Sequence, residues 1–460
     1  MIIQSDTICA LSTAPGIGGI AVIRVSGPTT LDVVNAVFSR NLSEVKSHTA
    51  VHGWVMDGDE RVDEVVSTLF KGPKSFTGED TIEIACHGSV FIQQRILSLL
   101  MKNGATMAGP GEFTMRAYLN GKMDLSQAEA VGDLIASESA AAHKQALHQM
   151  RGGFSKEINS LRERLIHFAS MIELELDFAE EDVEFANRDQ LNALLTEIAG
   201  VVHRLRDSFS LGNVIKQGVP VAILGAPNMG KSTLLNALLN EERAIVSDIA
   251  GTTRDTIEDH ITLEGIRFNF IDTAGLRETE DTIERMGIER ALGKAASASI
   301  VLLLFDATST ARQELDQLIE QIKANAESST HLILLANKVD KAEFNSQAFE
   351  QSFGDITPML RISAKQRLYI DELKKLLMDT VNIGRVSSGE TIVTNARHYE
   401  ALNKAADSLS EIDNGLQMGI PSDLIAIDIR KVLFHLGEIT GQINADDLLH
   451  NIFSKFCIGK

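Results

Sequence analysis

Cysteine is scarce in this 460-residue chain: Cys9, Cys86 and Cys457 lie far apart, without CxxC spacing. Such usage excludes a disulfide framework and a cysteine zinc site, and it fits a reducing cytosol. Basic charge is also short, with 43 Lys and Arg against 63 Asp and Glu and a formal net charge of -20. Wrapping nucleic acid broadly needs clustered cations to neutralise phosphates, so an RNA contact must be local or shared with a partner. Long hydrophobic runs are missing: stretches such as "SIVLLLF" fall well short of the roughly 20 apolar residues that cross a bilayer. The first basic residue is Arg24, so the start lacks the charged region of a signal peptide. A soluble, cytoplasmic chain with no membrane partner is expected.

What is present is an ordinary 44% share of hydrophobic residues, enough for packed cores. The length exceeds one ordinary core, so several domains are expected. Residues 1–120 alternate short apolar runs with Gly and Pro, as in "IAVIRVSGP" and "DTIEIACHGS", and Asp57-Gly58 reads as a hairpin tip; an α+β domain follows. Over 121–216 the pattern becomes helical, with Leu161, Leu165, Phe168 and Ile172 on one face and a break at Gly152-Gly153. The acidic stretch "LELDFAEEDVEF" has no ligand spacing and reads as a solvated surface. Residues 217–380 alternate strand-like and helical runs, the mark of a parallel α/β sheet. Residues 381–460 are helical again, with Tyr399, Leu402, Ala406 and Leu409 on one face and Pro421-Ser422-Asp423 as a helix start. The order suggests one all-α domain, discontinuous in sequence, with the α/β unit inserted into it.

The chemistry is concentrated in that insert. "GAPNMGKS", residues 225–232, fits a phosphate loop between the strand "VAIL" and the helix "STLLNALL". Glycines let backbone N–H groups close around phosphates, the helix start adds positive dipole, Lys231 reaches the terminal phosphates and Ser232 holds Mg²⁺. Asn228, Met229, Gly230 and Thr233 complete this part of the expected GTP site. Asp272-Thr273-Ala274-Gly275 ends a second strand, where an acid supports Mg²⁺ and a glycine amide meets the γ-phosphate. Asn337-Lys338-Val339-Asp340 ends a third, and Asp340 suits the paired N–H donors of guanine; Ser363-Ala364-Lys365 suits a base-stacking loop. Between them, Ser247, Asp248, Ile249, Ala250, Gly251, Thr252 and Thr253 fall where a first switch belongs, with Thr253 a second Mg²⁺ ligand. Leu276 stands where Ras-type enzymes carry a water-positioning Gln, so another group must orient water. From spacing, Asn228 either shapes its loop or helps carbonyls of "SDIAGTT" hold a monovalent cation. Glu284 is open in the same way, as a first-turn helix acid or a catalytic group.

The ordered G motifs with "GAPNMGKS" and "IAGTTRD", the segment "FTMRAYLNGKMDLSQAEA" and the ending "FCIGK" together resemble the MnmE (TrmE) family of bacterial tRNA modification GTPases, end to end. The resemblance implies three domains: an N-terminal folate-binding and dimerising domain, a discontinuous helical domain and an inserted Ras-like GTPase domain. It implies a GTPase activated by potassium as its GTPase domains pair in a homodimer. Asn228, Thr252 and the carbonyls of Ser247 and Ile249 would be the K⁺ ligands, and Glu284 would orient the attacking water, with Lys231 and Asn228 the other catalytic groups. Arg24, Glu83, Lys122 and Lys460 carry over as the site for 5-formyltetrahydrofolate or another reduced folate. An MnmG-type flavoprotein in a hetero-oligomer and tRNA are the implied partners, and the product a 5-carboxymethylaminomethyl or aminomethyl group on wobble uridine. Ala226 and Ser89 depart from common family residues without removing a needed group. The alternative is a GTP-dependent ribosome-assembly or RNA-binding switch with no one-carbon chemistry.

Two imitations fail. "GIGGIA" at residues 16–21 copies a dinucleotide fingerprint, yet "AVIRV" rather than a helix follows it. Cys457 stands in a prenylation position, but Gly459 is not aliphatic and Lys460 is not a usual last residue. With no polybasic run beside it, one lipid would anchor weakly. The tail instead reads as an arm pinned by Phe453 and Phe456, with "CIGK" reaching the folate site and Cys457 a structural or catalytic thiol.

Overall fold

The computed structural model describes residues 6–177, 188–239, 259–271, 293, 296, 298–327, 330–356, 358–381, 391–418, 420, 422–443, 449 and 452–459. The chain forms two compact units. The first joins Met1–Ala136, Gln145–Asp207 and Ala396–Lys460; the second joins Ser137–Lys144 and Ser208–Asn395.

In the first unit, β1 (Thr7–Leu11), β2 (Gly18–Ser26), α1 (Thr30–Asn35), β3 (Thr49–Asp57), β4 (Glu60–Phe70), β5 (Thr81–Gly88), α2 (Val90–Lys102), β6 (Ala105–Met107) and α3 (Glu112–Leu119) come first. Their six-stranded sheet has the order β3-β4-β5-β2-β1-β6, antiparallel except for β1 beside β6. Gly58 adopts φ +61° at the tip between β3 and β4, the left-handed conformation a tight hairpin needs. Alternation sends Ala21, Ile23 and Val25 of β2 and Ile82, Ile84 and Cys86 of β5 into a core shared with Ile96, Leu99 and Leu100 of α2. Each such buried Ile or Leu contributes about 1.5–3 kcal/mol. The other face of the same strands carries Arg24 opposite Glu83.

The helices that follow are α4 (Leu125–Ile135), α5 (Ala140–Met150), α6 (Gly153–Asp177) and α7 (Arg188–Asp207), of which Ala140–Lys144 of α5 belong to the second unit. Asp124 caps α4, accepting from the Gln127 backbone while the Gln127 side chain accepts from Asp124 N–H. Gly152, at φ +79°, turns the chain between α5 and α6. Along α6, Leu161, Leu165, Phe168 and Ile172 are all buried, as their steps of four, three and four require.

The second unit runs α8 (Phe209–Gln217), β7 (Val219–Leu224), α9 (Lys231–Leu239), β8 (Asp259–Leu263), β9 (Ile266–Phe270), β10 (Ile300–Asp306), α10 (Arg312–Asn325), β11 (His331–Asn337), α11 (Ser346–Phe353), β12 (Met359–Arg361) and α12 (Ile370–Thr380). Its sheet order is β12-β11-β10-β7-β9-β8, parallel except for β8 against β9. Both faces are covered. Ile223, Leu302, Leu304 and Leu335 pack with Leu234 and Leu238 of α9 and Leu373 and Leu377 of α12. Leu224, Val301, Leu303 and Phe305 face the other way, with Leu315 and Ile322 of α10 and Phe349 and Phe353 of α11. This burial on two sides explains continuous apolar runs such as "IVLLLF".

After the insert the first unit resumes with α13 (Ala396–Gln417) and α14 (Ser422–Thr440). These two pack on each other, with α6 against α14 and α7 against α13. Leu402, Ala406 and Leu409 are buried while Tyr399 is half-buried. No helix among the described residues is long and apolar enough to cross a membrane.

Candidate functional site

The phosphate loop joins β7 to α9, at the carboxyl end of the parallel strands. Three of its residues take positive φ: Gly225 (+146°), Asn228 (+62°) and Gly230 (+96°). A β-carbon on Gly225 would lie 2.3 Å from the Leu304 carbonyl oxygen, so only glycine fits between β7 and β10. Lys231 folds back over the loop, its Nζ donating to the carbonyls of Gly225 at 2.7 Å and Ala226 at 2.9 Å. Asn228, Ser232 and Thr233 are exposed at the mouth, and Met229 and Gly230 are half-buried. A left-handed turn, a lysine curled above it and a helix start beneath it fit a polyphosphate, and the Ser232 hydroxyl in the first turn of α9 fits an Mg²⁺ donor.

The loop after β11 is fastened to this cradle. Asn337 is buried; its Nδ2 donates to the Met229 carbonyl at 2.7 Å and its Oδ1 accepts from the Ala364 N–H at 3.0 Å. One side chain thus ties the phosphate loop to both segments expected to hold the base. Asp340 is exposed, and its Oδ1 accepts from Ser363 Oγ at 2.5 Å. That bond fixes the carboxylate and leaves its other oxygen for a ligand's N–H. Lys338 takes φ +67°, and Lys365 is exposed beyond the buried Ser363 and Ala364. Ser247, Asp248, Ile249, Ala250, Gly251, Thr252, Thr253, Asp272, Thr273, Ala274, Gly275, Leu276, Glu284 and Lys460 lie outside the described residues.

In the first unit, Arg24 and Glu83 are register partners on β2 and β5. Arg24 donates through Nε at 3.0 Å and Nη2 at 2.8 Å to the same carboxylate oxygen, Oε1. Its guanidinium lies 5.3 Å from the Phe76 ring centroid and 5.5 Å from that of Phe113, an aromatic clasp of the cation–π kind. Lys122 donates to the Pro73 carbonyl at 2.7 Å, and its stem would meet a β-carbon on Gly78. The segment 73–78 therefore touches Lys122 and also supplies Phe76 to Arg24. Phe113 is fully buried and holds the guanidinium from within, while Phe76 is exposed, so the charged pair with the Phe76 ring fits a flat heterocycle bearing N–H groups. Sequence reading named Arg24, Glu83 and Lys122 but not Phe76 or Phe113, because nothing local in "KSFTGED" or "GEFTMRA" announces a ring over a distant cation.

The tail docks on the same unit. Phe453 is buried and stacks obliquely on Phe456, whose ring lies over Gly132. Ile458 bridges Pro110, and the Gly459 carbonyl accepts from Ser12 Oγ at 3.1 Å. Gly459, at φ +95°, has no room for a β-carbon, which would lie 2.0 Å from the Leu11 carbonyl oxygen. Leu11 follows Ala10, the partner of Arg24 across β1 and β2. Cys457 is exposed. Cys9 and Cys86 are buried thiols, which burial pushes up to about 11, so both stay protonated at neutral pH. Among the described residues no three His, Cys, Asp or Glu side chains gather as a metal site.

A doubly wound sheet with a glycine-rich loop, and a second loop hydrogen-bonded to it, define a P-loop nucleotide hydrolase domain of the GTPase kind, here set within a second unit. The model of the MnmE helical domain matches residues 125–457, and that of the GTP-binding protein TrmE N-terminus matches residues 7–122. The chain is 56% identical over 458 residues to the tRNA modification GTPase MnmE of Cytophaga hutchinsonii, covering 99% of this chain and 98% of that one. It is 53% identical to its counterpart in Christiangramia forsetii, covering 99% of both. Among solved structures, the G domain of the T. maritima FeoB iron transporter is 26% identical over 35% of this chain and 98% of that one, with a TM-score of 0.25. The chain belongs to the MnmE family of tRNA modification GTPases.

Proposed function

We propose that this GTPase works as a homodimer with a flavin-dependent MnmG-type partner in the cytoplasm. Together they form the 5-carboxymethylaminomethyl or aminomethyl group on the wobble uridine of certain tRNAs. The observation that carries the one-carbon part is the Arg24–Glu83 pair, its guanidinium held against the Phe76 and Phe113 rings, with the carboxyl tail docked one strand away. Glu83 accepts through Oε1 from Arg24, and its Oε2 is available to N–H groups on the edge of a folate's heterocycle. Lys122 and Lys460 supply positive charge for the glutamate end of that ligand. The folate, when bound, supplies the one-carbon unit.

In the GTPase unit, Asn337 holds the phosphate loop and base loop at a fixed separation, so phosphate and guanine are recognised together. Asp340, steadied by Ser363, accepts from the guanine edge. Lys231 exchanges the Gly225 and Ala226 carbonyls for phosphate oxygens, and Ser232, with Thr253 from the switch, holds Mg²⁺. The positive φ of Asn228 turns its loop outward, which suits a side chain that ligates K⁺ with Ser247, Ile249 and Thr252. Glu284 orients the attacking water in place of the missing Gln, and Cys457 is a thiol at the edge of the folate site. An RNA-binding switch without one-carbon chemistry would leave the clasped Arg24–Glu83 pair without a ligand. Deleting the gene is expected to remove the modified wobble nucleosides from digested tRNA in mass spectrometry. The parent gene restores them and an Arg24→Ala copy does not; unchanged nucleosides after deletion would overturn the reading.

A further inference from the structure

Asp306 ends β10, outside every motif assigned above, and its side chain is only 5% exposed. A buried carboxylate is costly unless fully partnered. Its two oxygens are partnered differently. Oδ1 accepts from the Thr308 N–H at 2.9 Å and the Thr308 hydroxyl at 2.7 Å, a turn closed within its own loop. Oδ2 faces the neighbouring loop and meets two ammonium groups, Lys338 Nζ at 2.9 Å and Lys341 Nζ at 3.0 Å.

Lys338 stands between Asn337 and Asp340 and is in the left-handed conformation, φ +67°, which side-chain-bearing residues avoid. Such a conformation persists where surrounding contacts over-determine it. Asn337 is held by Met229 and Ala364, and Asp340 by Ser363. The residue that turns the chain between them is held by Asp306. Asp306 is also the register partner of Asn337, and the Ala307 N–H donates to the Asn337 carbonyl at 3.0 Å. The carboxylate is therefore anchored to the same rung of the sheet that it steadies. Electrostatics agree: against the cost of burial, the Thr308 bonds and the two lysines hold Asp306 well below the usual carboxylate range, so it is ionised throughout the physiological range.

We propose that Asp306 is a positioning residue for guanine-nucleotide binding: its Oδ2 anchors the Lys338 ammonium and so sets the left-handed turn that presents Asn337 and Asp340 to the base. The proposal rests on the reading of residues 337–340 as the guanine loop. Lys341 shares the carboxylate but lies beyond the turn, so its contribution is neutralising rather than positional.

The test is a titration of the full-length protein with fluorescently labelled GDP, alongside GTP turnover, for Asp306→Asn, Asp306→Ser, Lys341→Met and Asp340→Asn. Asp306→Asn keeps the Thr308 bonds and removes the charge; it is expected to raise the Kd by about tenfold or more at parental binding stoichiometry. KM for GTP should rise with it, while the saturating rate stays within about twofold of the parent. Asp306→Ser, which leaves room for water, should give the same split and stands in if the Asn variant folds poorly. Lys341→Met should bind within about twofold of the parent. A merely structural role would instead lower the stoichiometry at an unchanged Kd, and that result, or parental binding by both Asp306 variants, would overturn the proposal. An equal loss in Lys341→Met would overturn the assignment to Lys338. Asp340→Asn separates the two readings: if it binds guanine nucleotides normally, the base-loop reading fails; if it weakens while the Asp306 variants do not, only the positioning role fails.

Discussion

Glu129, Arg397 and His398 form a buried charged cluster between α4 and α13. Arg397 donates through Nε and Nη2 to the two oxygens of Glu129, both at 2.9 Å, and His398 Nε2 lies 2.7 Å from Oε2. Burial alone would raise the Glu129 carboxyl, but the hydrogen bonds from His398 and Arg397 and the Arg397 charge overcome it and hold it well below the usual carboxylate range. Burial pushes the His398 imidazole below its ordinary value, against the pull of Glu129, so the ring is neutral at pH 7. Both shifts have the same sign for stability. The unfolded chain binds a proton on His398 below about pH 6.5 and one on Glu129 below about pH 4.3, while the folded chain takes up each only at lower pH. Stability present at neutral pH is therefore expected to fall as acid is added, first through the histidine and then through the carboxylate range. Glu129→Gln removes the carboxylate charge opposite Arg397, which keeps its bonds to the Glu438 and Ile439 carbonyls, and should cost about 3 kcal/mol in urea unfolding at pH 7, with a flatter acid limb. An unchanged midpoint would show that the cluster contributes no net stability.

At the scale of elements, the carboxyl tail is a short arm whose docking depends on one glycine and one aromatic pair. Gly459→Ala places a β-carbon against the Leu11 carbonyl in a backbone conformation alanine avoids, so residues 457–459 should leave their site. The expected outcome is faster trimming by carboxypeptidase and at least a tenfold loss of 5-formyltetrahydrofolate affinity, about 1.4 kcal/mol, by calorimetry. Parental affinity in this variant would separate the tail from the folate site. Helical faces were legible from spacing, as the buried Leu161, Leu165, Phe168 and Ile172 show. The Tyr399 position was not, because a phenol at the margin of a face remains half-buried while its apolar neighbours go in.

For the whole molecule, the proposed activation by potassium acts through paired GTPase domains. GTP turnover in KCl is expected to exceed that in NaCl by about tenfold or more, the scale on which a fixed charge replaces an arginine finger. Equal rates in both salts, with no change in association state, would remove the cation from the reaction. The net charge of -20 makes the same experiment sensitive to ionic strength, so both salts belong at one concentration.

Sequence alone determined the phosphate-loop motif, the motif proposed for guanine and their order, because such motifs place particular atoms at short fixed spacings along one chain. It also determined the α/β class of the insert and the helical faces around it, through periodicity. Tertiary structure decided what distant residues do to one another. It set Phe76 and Phe113 around Arg24, brought Asp306 to Lys338, and buried Glu129 with Arg397 and His398. A lone aspartate at the end of "IVLLLFD" is unremarkable in sequence; only the pairing of β10 with β11 puts a lysine from the base loop within reach of its second oxygen.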